Sequence, residues 1–200
     1  MFDYSYHMKK LVGDISRHCE ALRHIDSHRI LVGVSRSRNG KRHGLQAKLV
    51  PLKFQGGRRT IQTSRNWYCR IPKIMYNGNE ILYVIYFCVP RFLNLSFDEK
   101  LTILFHELYH ISPAFNGDIR RFPGRFYQHS HSEKKYDATV QSLSEGYLRE
   151  PHSHKMTHFL RFNHEALRRR FGEVVGLKPK LPEAILFKRD KPHCEGRGVG

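Results

Sequence analysis

The sequence predicts an α+β fold: an N-terminal helix, a small and mostly antiparallel sheet, then a helical C-terminal half that carries the active-site helix. Three observations lead there. Apolar residues recur at helical spacing from His7 to Ile25. Short β-branched or apolar runs, separated by Gly, Asn and Pro, occupy residues 30–89. Amphipathic helical stretches fill most of residues 96–171. With 200 residues and 40% of them hydrophobic, the chain has enough apolar surface for one core, placed over 1–176. Pro179, Pro182 and Pro192 and then Gly196, Gly198 and Gly200 mark 177–200 as an extended or flexible basic tail.

The elements follow in order. Met8, Leu11, Val12, Ile15, Cys19 and Leu22 form the apolar stripe of the first helix. Ile30 to Val34 is a short β-branched strand, closed by a turn at Arg38-Asn39-Gly40-Lys41. Leu45 to Phe54 reads as a second strand, and Pro51 places it at a sheet edge or a bend, because proline has no N–H for the ladder. Gly56-Gly57 opens a basic loop, Trp67 to Ile71 is a possible strand, and Asn77-Gly78 has the composition of a hairpin turn. Ile81 to Val89 is apolar throughout, as in a strand covered on both faces, and Pro90 ends it. Ser96-Phe97-Asp98-Glu99 is a capping box that starts a helix reaching Ile111, stopped by Pro113. Further helices are expected over Ser132–Arg149, with Tyr136, Val140, Leu143 and Tyr147 on one stripe, and over Thr157–Phe171.

Composition excludes several classes. The longest apolar stretch, Ile81 to Val89, is too short to span a bilayer, and residues 1–7 lack the basic-then-apolar pattern of a signal peptide. A cytoplasmic location is the default expectation. Cys19, Cys69, Cys88 and Cys194 are scattered, with no C-x-x-C pair, which argues against both a thiolate zinc knuckle and a disulfide scaffold. The net charge is +17, and it is localised: from Ser27 to Asn79 there are twelve Lys or Arg and no Asp or Glu. A cluster of this kind attracts polyanions by counterion release, so nucleic acid is an expected partner, against the plainer reading of a solvated basic surface.

The chemistry concentrates in His106-Glu107-Leu108-Tyr109-His110. Histidines four apart on a helix project from one face and can share a metal, while the intervening Glu can take a proton from water activated there. The three fixed letters alone would arise by chance in roughly one such His-rich chain in twenty. Helical geometry adds a second test. Leu101, Leu104, Phe105 and Leu108 define a buried stripe, and at ~100° per residue His106 and His110 fall on nearly the opposite side. One face anchored in the core and the other on a cleft is the arrangement a metal site requires. A catalytic zinc takes a third protein ligand. The position where an extended H-E-x-x-H-x-x-G-x-x-H motif would supply it is Asn116. The downstream candidates are His129, which is preferred, His131, Glu133 and Asp137.

The run His106 to Pro113, then Asn116-Gly117-Asp118-Ile119-Arg120-Arg121-Phe122, then His129-Ser130-His131-Ser132 and Tyr136-Asp137, resembles the putative phage metallopeptidase family, itself similar to SprT-like zinc proteases. The resemblance covers about residues 27–150 and implies a zincin-type helix, with Zn2+ bound by His106, His110 and His129 and Glu107 as general base and acid. The family pattern often has Gly after the third His; here Ser130 and His131 follow.

The remaining residues have plainer readings. Asp118, Arg120 and Arg121 are expected to form loop salt bridges, and Asp137 to orient a ligand histidine or sit on the surface. Tyr127 or Tyr136 is of a type that can donate to an oxyanion, with Tyr136 expected in the core. His152, His154 and His158 read as a polar connection. The functional expectation is a zinc metallopeptidase acting on protein or peptide, with Ser27–Asn79 as a surface for nucleic acid. A zinc-dependent nuclease and a non-enzymatic basic nucleic-acid-binding domain are the alternatives.

Overall fold

The computed structural model describes residues 1–37, 43–122 and 133–188, and it is an α+β fold. Strand β1 (Phe2–Asp3) leads directly into helix α1 (Tyr4–His18), whose N-terminus is capped by the Asp3 carboxylate accepting from the Tyr6 amide at 3.0 Å. The helix is shorter than its apolar period suggests. Cys19 turns extended, and a 3₁₀ turn over Glu20–Leu22 keeps Leu22 and then Ile25 in the core, so the spacing continues past the helix end.

The central sheet consists of β2 (Ile30–Arg36), β3 (Ala47–Pro51) and β8 (Tyr83–Val89), in the order β2-β8-β3. Strand β8 runs parallel to β2 and antiparallel to β3. As its uniformly apolar sequence requires, β8 is covered on both faces. Tyr83, Ile85 and Phe87 enter the main core beneath the helices, while Val84 and Tyr86 pack with Leu31, Leu52 and Ile81 on the other side. Pro51 ends β3, which is an edge strand.

Between β3 and β8 the chain builds two smaller units. Strand β4 (Thr60–Ser64) lies inside the stretch expected to be a basic loop and forms a hairpin with β5 (Trp67–Arg70), where a strand was expected. Strands β6 (Ile74–Tyr76) and β7 (Asn79–Ile81) are joined through Asn77 and Gly78, both at positive φ, as a tight hairpin turn demands.

Helix α2 (Phe97–Tyr109) begins with the expected capping box: the Ser96 side chain accepts from the Glu99 amide, and Glu99 accepts from the Ser96 amide. Leu101, Leu104, Phe105 and Leu108 are all buried, each contributing roughly 2 kcal/mol of apolar burial that fixes the rotation of the helix. Lys100 joins them. It is 1% exposed, and its ammonium donates to the carbonyls of Leu160 and Phe162.

Helix α3 (Glu133–Leu148) buries Tyr136, Val140 and Tyr147 against α2, with Leu143 partly covered. The single helix expected over Thr157–Phe171 is broken. Helix α4 (Ser153–Thr157) gives way to a 3₁₀ turn, and Asn163 then accepts from the Ala166 amide to start α5 (His164–Phe171). Strand β9 (Val174–Val175) pairs with β1, and β10 (Ile185–Lys188) pairs with β5. The stretch 177–188 is extended and bonded to the rest of the chain: Val34 N–H donates to Leu177 O, and the Tyr86 hydroxyl donates to Pro179 O at 2.7 Å. No described helix is long and apolar enough to cross a membrane. Cys19, Cys69 and Cys88 are free thiols.

Candidate active site

The buried stripe of α2 sets which side chains face outward at its C-terminal end. His106 and His110 emerge together, one turn apart, with their Nε2 atoms 3.0 Å from each other and their ring planes nearly perpendicular. Two imidazole nitrogens at that separation can bind the same cation. With Glu107 they line a cavity of about 460 Å³, closed on the other side by Leu45, Ala47, Leu49 and Pro51 of the β3 edge and by Ile119.

Glu107 lies between the helix and that edge. It is 8% exposed, and one carboxylate oxygen accepts the Leu49 amide at 2.6 Å. Burial raises its pKa to about 7, against the opposing effect of the Leu49 N–H. The Leu49 contact was not legible in the sequence, because a backbone amide carries no side-chain signature. The one available signal was Pro51, which marked β3 as an edge.

The loop after the helix holds the cavity floor. Ile111 and Ile119 form an antiparallel bridge, and the Arg120 amide donates to His110 O at 2.6 Å. Asp118 is the anchor. Its carboxylate accepts from the amides of Gly56 and Ile119 and from both Nε and Nη2 of Arg121, and these bonds hold its pKa below the usual carboxylate range despite burial. The Tyr83 hydroxyl donates to Asp118 O and accepts from the Gly117 amide, tying the loop to β8, and burial pushes its pKa up to about 12. Asp118 and Arg121 thus form the expected loop salt bridge. Arg120 does something else: its Nε donates to the Tyr109 carbonyl at 2.7 Å and its guanidinium stacks on the Tyr109 ring, closing the helix C-terminus.

Tyr136 is both core and site wall. It is 2% exposed, its hydroxyl donates to the His106 carbonyl at 3.2 Å, and its ring packs against those of His106 and His110 at 5.0 and 5.3 Å. Burial and then the Glu107 charge raise its pKa well above the ordinary tyrosine value. Asp137, next along α3, is exposed. Tyr127, His129 and His131 lie outside the described residues, as does the side chain of Glu133.

Residues 3–143 match the putative phage metallopeptidase family. The chain belongs to that family. No curated protein and no solved structure matches it. The family's name describes a putative metallopeptidase, which implies a metal ion and a protein or peptide substrate.

A second group of metal-ligating types lies elsewhere. Asp14 on α1, His18 at its end and His152 before α4 present atoms within 4.8 Å of one another, close enough to share a cation. The Asp14 carboxylate is already engaged. It accepts the Tyr147 hydroxyl at 2.5 Å and faces His152 Nε2 at 3.0 Å, joining α1 to the α3–α4 corner. His152 was expected in a polar connection.

Proposed function

We propose that the chain is a zinc-dependent metallopeptidase in which His106, His110 and His129 hold the Zn2+ and Glu107 is the general base and acid. The observation that carries this reading is the convergence of two Nε2 atoms to 3.0 Å in a cavity that also contains a buried carboxylate. The donor set fits the ion. Catalytic zinc takes three protein ligands, commonly imidazoles, and keeps a position open. When bound, zinc polarises the scissile carbonyl and increases the acidity of water beside it.

The chain's own residues account for the rest. Glu107 takes a proton from the attacking water and passes it to the leaving amine, and a pKa near 7 suits a group that must do both. The β3 edge beside the cavity presents backbone groups to which an extended peptide can add as a further strand. Tyr136 fixes the two imidazoles from behind. Tyr136 brings α3 against the two imidazoles, and His129, four residues before the start of α3, is proposed as the third ligand.

Elemental analysis of protein purified without a histidine tag tests the ligand set. Wild type is expected to carry one zinc, and His106→Ala, His110→Ala and His129→Ala to lose it. A full complement in His129→Ala with loss in His131→Ala would move the third ligand to His131. Incubation with casein and with labelled RNA separates the peptidase from a zinc nuclease, since only the first predicts cleavage of casein alone.

A further inference from the structure

The cleft does not end at the β3 edge. Leu45 and Lys48 border the metal-side cavity and also a second one, of about 430 Å³, on the opposite face of the central sheet. The strand period explains the arrangement. Ala47 and Leu49 point toward α2 and the main core, whereas Lys48, directly opposite Tyr86 on β8, points to the other face, its ammonium 5.8 Å from the Tyr86 ring centre. Arg36, exposed at the end of β2, and Arg91, just after β8, line the same cavity. Arg91 is held there by its guanidinium donating to Leu45 O at 2.9 Å and its amide donating to the Ser37 hydroxyl. The hydroxyls of Ser35 and Ser37 stand among these cations, and no described carboxylate lines the cavity.

The geometry points to a subsite for an acidic substrate side chain, formed by Arg36, Lys48 and Arg91 beside the peptidase cleft. This rests on the peptidase reading above. A peptide laid along the outer edge of β3, where the Leu49 N–H is already bonded to Glu107, alternates its side chains between the two faces of the sheet. One set faces α2 and the metal-side cavity. The next residue in either direction faces the Lys48 side, where the exposed Arg36 and Lys48 can meet an Asp or Glu carboxylate, to which arginine donates paired hydrogen bonds.

The test uses full-length zinc-loaded protein and labelled neutral decapeptides in which a single Glu is walked along the sequence, each with Gln and Lys counterparts. Glu is expected to raise kcat/KM about tenfold or more over Gln at one position, or at positions two apart, as one charge-assisted hydrogen bond allows. Arg36→Gln and Lys48→Gln, both at exposed side chains, are expected to bring that ratio close to one. Equal cleavage of the Glu, Gln and Lys series overturns the subsite and leaves the peptidase reading standing. If no peptide is cleaved, the peptidase reading fails instead. Fluorescence anisotropy of the same peptides then decides the subsite: tighter binding of a Glu peptide that Arg36→Gln abolishes upholds it, and equal binding overturns it. Binding of a labelled oligonucleotide lost in both variants, with no Glu preference in peptides, assigns the cavity to phosphate and also overturns it.

Discussion

Replacing Glu107 by Gln separates the chemistry of this residue from its structural cost. The side chain is 8% exposed and accepts the Leu49 amide at 2.6 Å, a bond that the carbonyl oxygen of Gln can keep. What the amide cannot do is take a proton, so hydrolysis is expected to fall by ~10²–10⁴, the usual contribution of a positioned base. Stability should move the other way. In the metal-free protein the carboxyl group has a pKa of about 7, against 4.5 when freely solvated, because burial disfavours its ionised form. Between those values the folded state binds the extra proton and the unfolded state does not, so wild-type stability falls as pH rises from 4.5 to about 7. The shift amounts to about 3 kcal/mol at pH 8 by the conversion of ~1.4 kcal/mol per unit. Glu107→Gln does not pay it. Chelated wild type and Glu107→Gln, unfolded in urea from pH 4.5 to 8, should therefore be similar at the acid end and diverge in favour of the variant toward neutrality. A constant difference across that range would refute the buried-carboxylate argument. Wild-type rates of peptide cleavage in the zinc-loaded variant would refute the role of Glu107 as base.

Three further outcomes follow from other buried or paired charges. Burial lowers the Lys100 pKa to about 8 from 10.5, so the unfolded chain binds the extra proton between those values; wild-type stability should rise from pH 8 to 10.5 by roughly 3 kcal/mol, and denaturation of Lys100→Met should show no such rise. Glu80→Gln leaves Arg29, Lys53 and Arg59 without their shared carboxylate, and should cost about 1–2 kcal/mol in thermal unfolding while delaying elution from heparin. Asp14→Ala leaves the buried Tyr147 hydroxyl and His152 Nε2 facing no acceptor; about 2 kcal/mol of stability should be lost with the zinc count unchanged, and a lost second metal in elemental analysis would instead make this cluster a site.

The parts of the site that lie on one continuous helix were legible in the sequence. The capping box fixed where α2 starts, and its apolar stripe fixed which way His106 and His110 point. What depends on a second element was not. Tyr136 fell on an apolar stripe and so read as core, yet a side chain can be buried because it packs against the two imidazoles. Lys100 sits among the buried residues of α2, although its charge placed it on the solvent side by any pattern rule; only the carbonyls of Leu160 and Phe162, sixty residues away, make that position tolerable. The apolar spacing over Thr157–Phe171 survives the break in that segment, and the Asn163 cap that divides it is a local competition which periodicity does not register.

The basic run also changes meaning once it is folded. Read along the chain, Ser27–Asn79 looks like one acid-free surface for a polyanion. Glu80, the residue immediately after the run, ion-pairs with Arg29, Lys53 and Arg59, so part of the positive charge is neutralised within the fold and holds β7 to the segments around it. The rest divides by strand. Arg36 and Lys48 stand beside the cleft, within reach of whatever lies on β3, while Arg65, Arg70 and the exposed Trp67 belong to the separate β4–β5–β10 sheet, where Lys188 stacks over Trp67. Arg38, Lys41 and Arg42 lie outside the described residues. A phosphate backbone needs a continuous track of cations, whereas a cleft that selects its substrate needs a few cations at a fixed distance from the reacting atoms. Among the described residues the charge beside β3 has the second form, which is why an acidic peptide explains it better than a nucleic acid does.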